Sequence, residues 1–174
     1  MNIYIKNKLQ MASYILISLV GCGEKEIIQD IPASIPVSLI SDIALGDSIT
    51  VKQAREQNVP NKELIIEGFI GGRENPFAQG RAIFAFGDDA LETCDEIPGD
   101  NCATPWDACC ESREKIISSI LTIQIVDENN NVLKGTLMNV NGIKGGLRLK
   151  IKGVVDANSK PEAMIFNAEN IEFL

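Results

Sequence analysis

The sequence predicts a mainly β fold, a small closed barrel of about five strands with one short helix before it. Several short segments alternate apolar and polar residues, as strands with one buried face do. Loops rich in Gly, Asn and Pro separate these segments at short intervals. Gly68 and Gly153 interrupt two of the predicted strands, and such glycines suit the sharp bends of a small barrel.

The short helix is predicted at residues 51–57, with the sequence VKQAREQ. Thr50, just before the helix, and Gln53, within it, match a capping box. In this motif each side chain accepts a hydrogen bond from the backbone amide of the other residue. Asn58 marks the end of the helix. The helix is therefore expected to lead directly into the first barrel strand.

Five barrel strands are predicted from their alternation or apolar character and from the turn residues that bound them. They lie at residues 63–70, 81–86, 120–126, 147–155 and 163–173, and a further short strand is expected at 132–137.

The start of the chain predicts a secretory signal. Lys6 and Lys8 precede an uncharged run at 9–21 that is too short for a membrane span, which needs about 20 apolar residues. Residues 19–22, LVGC, resemble the lipobox of bacterial lipoproteins, whose Cys becomes acylated after cleavage. The resemblance implies lipidation of Cys22, and several acyl chains bind a membrane more firmly than one.

These features divide the chain into a lipoprotein signal peptide at 1–21, a tether at 22–48 and one domain at 49–174. The tether is expected because its sequence has X-Pro steps, scattered polar residues and no sustained period. The residue after the predicted anchor is Gly23. Enterobacterial lipoproteins that are retained at the inner membrane usually carry Asp at this position. The expected location is the cell envelope, and this residue favours the outer membrane.

Composition excludes several classes of function. The chain has 16 Lys and Arg against 24 Asp and Glu, a net charge of −8, and no His. An acidic protein repels phosphate backbones, so nucleic acid is not an expected partner. Without His there is no Ser-His-Asp triad, Cys-His dyad or His-ligated metal. No pair of carboxylates stands out, so we expect no catalytic residue, no cofactor and no enzymatic activity.

Four cysteines lie in a predicted insert, at about 88–118, between the second and third strands: Cys94, Cys102, Cys109 and Cys110. An even number of cysteines in an exported segment that is poor in aliphatic residues predicts disulfides. The Cα atoms of Cys109 and Cys110 are about 3.8 Å apart, closer than in most disulfides. Two pairings remain open: 94–109 with 102–110, or 94–110 with 102–109.

Metal and redox chemistry are the alternatives for the insert. The spacing C-x7-C-x6-C-C differs from the paired C-x2-C knuckles of zinc sites. No C-x-x-C motif in a thioredoxin-like pattern is present. We therefore expect no metal, and the alternative function is a metal- or thiol-handling envelope protein that uses residues 94–110.

Several positions resemble the exported bacterial OB-fold family often called BOF. Val51 and Ala54 match its helix pattern V-x-x-A, and Gly68 and Ile70 match the strand ending x-G-x-I. Residues 149–156, LKIKGVVD, match its last hairpin, V-x-I-x-G-x-V-D, with Leu in first place. The Cys-rich insert instead resembles that of uncharacterised bacterial lipoproteins. The resemblance implies a five-stranded OB-type Greek-key barrel that binds without an assigned reaction.

The expected binding residues lie in the loop at 73–80, because OB barrels bind through the loops joining strands 1–2 and 4–5. Arg73, Asn75 and Phe77 are in this loop, and Arg81 follows it. Two guanidinium groups around an aromatic ring could hold an anion or stack on a ring. Alternatively, Phe77 closes the barrel end. The expected function is a non-catalytic binding or assembly module, anchored to the membrane, for an envelope protein or a small anionic ligand.

Overall fold

The computed structural model describes residues 31–174, so the predicted signal peptide and Cys22 lie outside the described residues. Its α-helices are α1 (Val51–Gln57) and α2 (Arg113–Ser119), and 3-10 helices occur at Val37–Leu39 and Cys94–Glu96. Its strands are β1 (Ile49–Thr50), β2 (Glu63–Ile70), β3 (Ile83–Gly87), β4 (Ile120–Gln124), β5 (Arg148–Val155) and β6 (Ile165–Phe173). Within this range, no helix is both long and apolar enough to cross a membrane.

Strands β2 to β6 close into a five-stranded barrel, which confirms the mainly β class and the closed barrel predicted from the sequence. Neighbouring strands follow the order β2-β3-β4-β6-β5, and β5 pairs back with β2. The β4–β6 pair is parallel, whereas the other barrel pairs are antiparallel. The short β1 is an additional strand that runs parallel to β2.

The barrel interior is filled by side chains at alternating positions of its strands, as the pleat requires. In β5, Leu149 and Ile151 are fully buried while Lys150 and Lys152 are half-buried. A β-bulge follows Lys152, and a Cβ at Gly153 would lie 2.1 Å from the backbone oxygen of a β6 residue. Glycine is thus needed where β5 bends. The largest fully buried side chains include Ile66, Ile70, Phe84, Phe86, Leu121, Ile123 and Phe166.

Helix α1 begins with the capping box that the sequence predicts. The Gln53 amide donates to Thr50 Oγ1 at 3.2 Å, and the Thr50 amide donates to Gln53 Oε1 at 3.0 Å. A second cap comes from outside the helix, because the Lys52 amide donates to Oδ2 of the buried Asp88 at 2.7 Å. This bond joins the start of α1 to the turn that follows β3.

The expected strand at 132–137 is not a strand in the structure. This segment forms only three isolated bridges, which pair Val132 with Val126, Lys134 with Arg81 and Thr136 with Pro32. Its alternation is too short, and Gly135 at φ +95° turns the chain before a ladder can continue.

Helix α2 was not predicted from the sequence. Ser112 is its N-cap, and its Oγ accepts a hydrogen bond from the Lys115 amide at 3.2 Å. The helix contains only two apolar residues, the adjacent Ile116 and Ile117, so it shows no apolar period for a sequence pattern to reveal.

The described part of the predicted tether, residues 31–48, lies against the barrel. In residues 31–48, Ala33 and Leu39 are buried and belong to the hydrophobic core. The Ala33 amide donates to the Thr136 carbonyl at 2.8 Å. Val37, by contrast, is 92% exposed. This segment, which includes the 3-10 helix Val37–Leu39, therefore covers part of the barrel surface and buries Ala33 and Leu39 against it.

Candidate functional site

A cavity of about 310 Å³ lies where the β2–β3 loop, the insert and the loop before β5 meet. A cavity of this size with mixed apolar and polar walls is typical of small-ligand sites. Its walls include Asn75, Pro76, Phe77, Gln79, Trp106, Met138, Asn139 and Lys144.

Phe77 forms the barrel side of this cavity. It makes a β-bridge with Phe84, and the centroids of their rings are 6.3 Å apart at an interplanar angle of 54°. The Ala78 amide donates to the Ile83 carbonyl at 3.0 Å, which holds the loop on β3. Phe77 packs against the hydrophobic core while remaining half-exposed. It thus closes the barrel end and lines the cavity at the same time.

Trp106 reaches the same cavity from the insert. Its indole Nε1 donates to the Glu74 carbonyl at 3.2 Å, and its own carbonyl accepts from the Gly72 amide at 2.8 Å. The indole lies against Gly145, where a Cβ would come within 2.5 Å of the ring. These contacts hold the indole at a defined place between two loops.

The sequence alone did not assign Trp106 to the binding site, although it is the only Trp in the chain. Its position beside Asn75 and Phe77 depends on how the insert folds back over the β2–β3 loop, which no local pattern encodes.

A second cavity, of about 610 Å³, shares Trp106, Lys144 and Gly145 with the first. The contact between the indole and Gly145 therefore separates the two spaces. The second cavity is more charged, since Arg148 and Asp89 form an ion pair in its wall. Burial raises the pKa of Asp89 above its ordinary value despite this neighbouring guanidinium.

The four predicted ligand-binding residues are distributed over different surfaces. Asn75 and Phe77 line the 310 Å³ cavity. Arg73 lines a different cleft, together with Arg55 of α1. Arg81 is exposed, and its backbone bridges to Lys134. Neither predicted arginine lines the cavity that contains Phe77.

The cysteine side chains of the insert converge. The Sγ atoms of Cys94, Cys102 and Cys109 all lie within 4.8 Å of one another, and those of Cys94 and Cys109 are 3.5 Å apart. Cys94 is buried, whereas Cys102, Cys109 and Cys110 are exposed. All four are free thiols in the structure, because a disulfide bond would be about 2.05 Å long.

The surroundings of Cys94, Cys102 and Cys110 raise the pKa of each of these three thiols and so favour the protonated form. Burial raises the pKa of Cys94 far above its ordinary value, and the neighbouring thiols of Cys102 and Cys109 add to the effect. A hydrogen bond with Cys94 lowers the pKa of Cys102, but Asp100 and the other contacts outweigh it and the net shift is upward. The Cys109 thiol raises the pKa of Cys110. Reactive cysteines have depressed pKa values, whereas the pKa values of these three thiols are shifted upward.

Backbone hydrogen bonds connect the cysteine cluster to the segment that carries Trp106. The Cys94 amide donates to the Asp107 carbonyl at 2.8 Å, and the Asp95 amide donates to the Pro105 carbonyl at 3.3 Å. The two segments therefore run side by side across Trp106. Constraining the cysteines also constrains the indole.

The basic outer face of β5 is engaged within the protein. Lys152 Nζ lies 3.4 Å from Glu63 Oε1, and Lys150 Nζ donates to the Gly46 carbonyl at 2.9 Å. Arg148 pairs with Asp89. In residues 31–174 this face thus has no basic side chain without a protein partner.

The fold and these sites define a small closed β-barrel with a cysteine-rich insertion and a ligand-sized cavity at the barrel end. No family model matches the chain, and none of the curated proteins compared with it is significantly similar.

Proposed function

We propose that this protein is a lipid-anchored lipoprotein of the cell envelope, whose OB-type barrel binds a ligand or protein partner without catalysing a reaction. Three features of the barrel support the OB-type Greek-key topology. It has five strands, its β2 pairs with both β3 and β5, and β4–β6 is the one parallel pair within it. The resemblance of residues 149–156 to the BOF family supports the same assignment.

The lipid anchor is proposed from the basic start, the apolar run and LVGC at 19–22. The Cys22→Ser precursor tests it. The wild-type protein is expected in the membrane fraction with acyl chains in its intact mass. The Cys22→Ser variant is expected to lack that mass, and an unmodified wild-type mass would contradict the anchor.

The observation that carries the binding function is the meeting of Phe77 and Trp106 in one cavity. The two aromatic residues offer apolar surface, while Asn75, Gln79 and Asn139 offer hydrogen-bonding groups. A specific ligand site typically has an apolar wall with a small number of polar groups that point toward the ligand. A cavity of about 310 Å³ suits a small molecule or one bulky side chain of a protein partner.

Site-specific photo-crosslinking in intact cells tests this site. A photoreactive amino acid at Asn75 is expected to give adducts that Trp106→Ala reduces. The matched control is Glu169, an exposed residue of β6 that lines none of the cavities described above. Equal adducts at Asn75 and Glu169 would remove the cavity as the binding site.

We further propose that disulfides staple the insert, with Cys94 joined to Cys109 and Cys102 to Cys110. The Sγ separation of 3.5 Å between Cys94 and Cys109 supports this pairing over the alternative. Each bridge would close a short loop in a segment with little apolar core, where a disulfide typically contributes about 2–4 kcal/mol.

Metal binding by the insert is the second candidate function, favoured by three sulfur atoms within 4.8 Å of one another. Soft thiolate ligands suit Cu(I), whereas structural zinc usually takes four ligands. Protein secreted through an oxidising compartment is to be assayed for metal content and free thiols. We expect neither bound metal nor free thiols. Stoichiometric copper or zinc would contradict the proposed disulfides and show that the insert is a metal site.

A further inference from the structure

A cleft of about 140 Å³ lies between α1, α2 and the loop that leads into β6. It is separate from the cavity of Phe77 and Trp106. Two arginines, Arg55 and Arg73, line it together with Thr122 and Glu162. Water occupies about 30 Å³ per molecule in the liquid, so the cleft has room for roughly five waters or for one small anion.

Arg55 is held rigidly in this cleft. Its Nη1 donates to the Ile120 carbonyl at 2.7 Å, and its Nη2 donates to the Pro161 carbonyl at 2.9 Å. Both acceptors are neutral, and no carboxylate in the described chain lies within 4.0 Å of the guanidinium. Burial lowers the pKa of Arg55, as expected for a cation that loses water without gaining a counter-ion.

The backbone directs Arg73 toward the same cleft. Gly72 before it has φ +78°, and a Cβ there would lie 2.5 Å from Cδ1 of Ile120. The chain thus passes directly over Ile120, whose carbonyl binds Arg55, before it reaches Arg73. Arg73 lines this cleft with Arg55 of α1 and does not line the cavity of Phe77. Arg73 is exposed and also has no ion-pair partner among residues 31–174.

Among residues 31–174, Glu162 is the only carboxylate that lines the cleft, and it is exposed. It forms no ion pair with Arg55 or Arg73. Two cations therefore share one small cleft, and the described part of the chain supplies neither with a counter-ion, although the net charge of the protein is −8.

We propose that this cleft binds a small oxyanion, a phosphate or carboxylate group, between the guanidinium groups of Arg55 and Arg73. Planar guanidinium groups bind such oxygens with charge-assisted, often bidentate hydrogen bonds. Arg55 supplies a preorganised donor, since its side chain is already fixed by two carbonyls. Arg73 supplies a mobile second donor from the solvent side. The site does not depend on the barrel-end cavity.

Titration of the full chain in non-ionic detergent with inorganic phosphate, and separately with acetate, tests the site. Binding is measured by calorimetry and by the rise in the thermal unfolding midpoint, with chloride at equal ionic strength as reference. We expect saturable binding of at least one of the two anions. Which anion binds identifies phosphate or carboxylate chemistry as the preferred one.

The matched variants are Arg73→Gln and Arg81→Gln, since both arginines are exposed and only Arg73 lines the cleft. Arg73→Gln is expected to weaken binding roughly tenfold or more through loss of a charged hydrogen bond. Arg81→Gln should bind as wild type does, and Glu162→Gln should bind several-fold more tightly. The proposal is overturned if neither anion exceeds chloride, or if Arg73→Gln and Arg81→Gln lose affinity equally.

Discussion

The indole of Trp106 lies against Gly145 so closely that any side chain at 145 would overlap the ring. This contact joins the cysteine-rich insert to the loop before β5. It also forms the partition between two cavities, of about 310 and 610 Å³. A glycine is required at 145 because of this close approach and not because of backbone conformation.

Gly145→Ala is therefore expected to displace the indole. The added methyl should cost about 1–3 kcal/mol of unfolding free energy, the usual range for an overpacked contact. Trp106 is the only tryptophan, so its fluorescence reports the displacement directly as a shift toward longer wavelength.

Gly99→Ala is the control for Gly145→Ala. Gly99 lies in the same insert at φ +87° with open space around it. Its substitution should cost about 1 kcal/mol or more through backbone strain alone. Trp106 emission should stay unchanged in this variant, and an equal shift in both variants would refute the contact as its cause.

Asp88→Ala is expected to destabilise the fold. Asp88 is buried, and its carboxylate accepts hydrogen bonds from the amides of Lys52 at 2.7 Å and Ala90 at 2.9 Å. Losing the cap of α1 should cost about 1–2 kcal/mol in urea unfolding. The neighbouring Asp89→Ala, which removes a partly exposed ion pair with Arg148, should cost no more than about 1 kcal/mol. Equal losses would remove the capping role of Asp88.

The disulfide pairing is tested by two double variants of the oxidised protein. Cys94→Ser with Cys109→Ser removes one proposed bridge completely, so no free thiol is expected on labelling. Cys94→Ser with Cys110→Ser breaks both proposed bridges and should leave either two reactive thiols or a newly formed 102–109 bond. The pairing is wrong if the first variant has two free thiols and the second retains all the stability of the first.

The pH dependence of stability should depend on the redox state of the insert. In the reduced protein, burial raises the pKa of Cys94, so the folded state keeps a proton that the unfolded state releases above about pH 8.5. The contribution of the Cys94 thiol to the free energy of unfolding should therefore be complete below about pH 8.5. The free energy of unfolding should then fall as the pH rises further.

The oxidised protein has no Cys94 thiol to titrate and should lack this fall in stability. Reduced Cys94→Ser should show a smaller fall than the reduced wild type. Urea unfolding at pH 7, 9 and 10 measures the difference, and identical curves for the oxidised and reduced proteins would show that burial of Cys94 does not affect folding.

Local patterns predicted the elements that local interactions stabilise. The helix after Thr50 was predicted with its capping box because the two bonds lie within four residues. Strand β2 was predicted at its observed bounds, since an apolar run between turn residues is sufficient to define it. The expected strand at 132–137 failed because alternation over a few residues does not ensure a pairing partner.

The candidate sites were only half visible in the sequence. The resemblance to an OB barrel pointed to the loop containing Asn75 and Phe77, and both residues line the 310 Å³ cavity. Their role in binding stays a prediction. Arg73 and Arg81 do not lie together around Phe77. Gly72 passes close over Ile120, and Arg73, which follows it, lines a cleft with Arg55.

By itself the sequence determined the β class, the leading helix, the cysteine-rich insert and the exclusion of His-based chemistry. These follow from composition and from patterns shorter than one element. Only the tertiary structure decided that Trp106 lies against Gly145 and shares a cavity with Phe77, and that Arg73 shares a cleft with Arg55. It also decided that the Sγ atoms of Cys94 and Cys109 lie 3.5 Å apart. Barrel closure brings together residues far apart in the chain, and their contacts depend on how insert and loops pack, which short-range patterns do not encode.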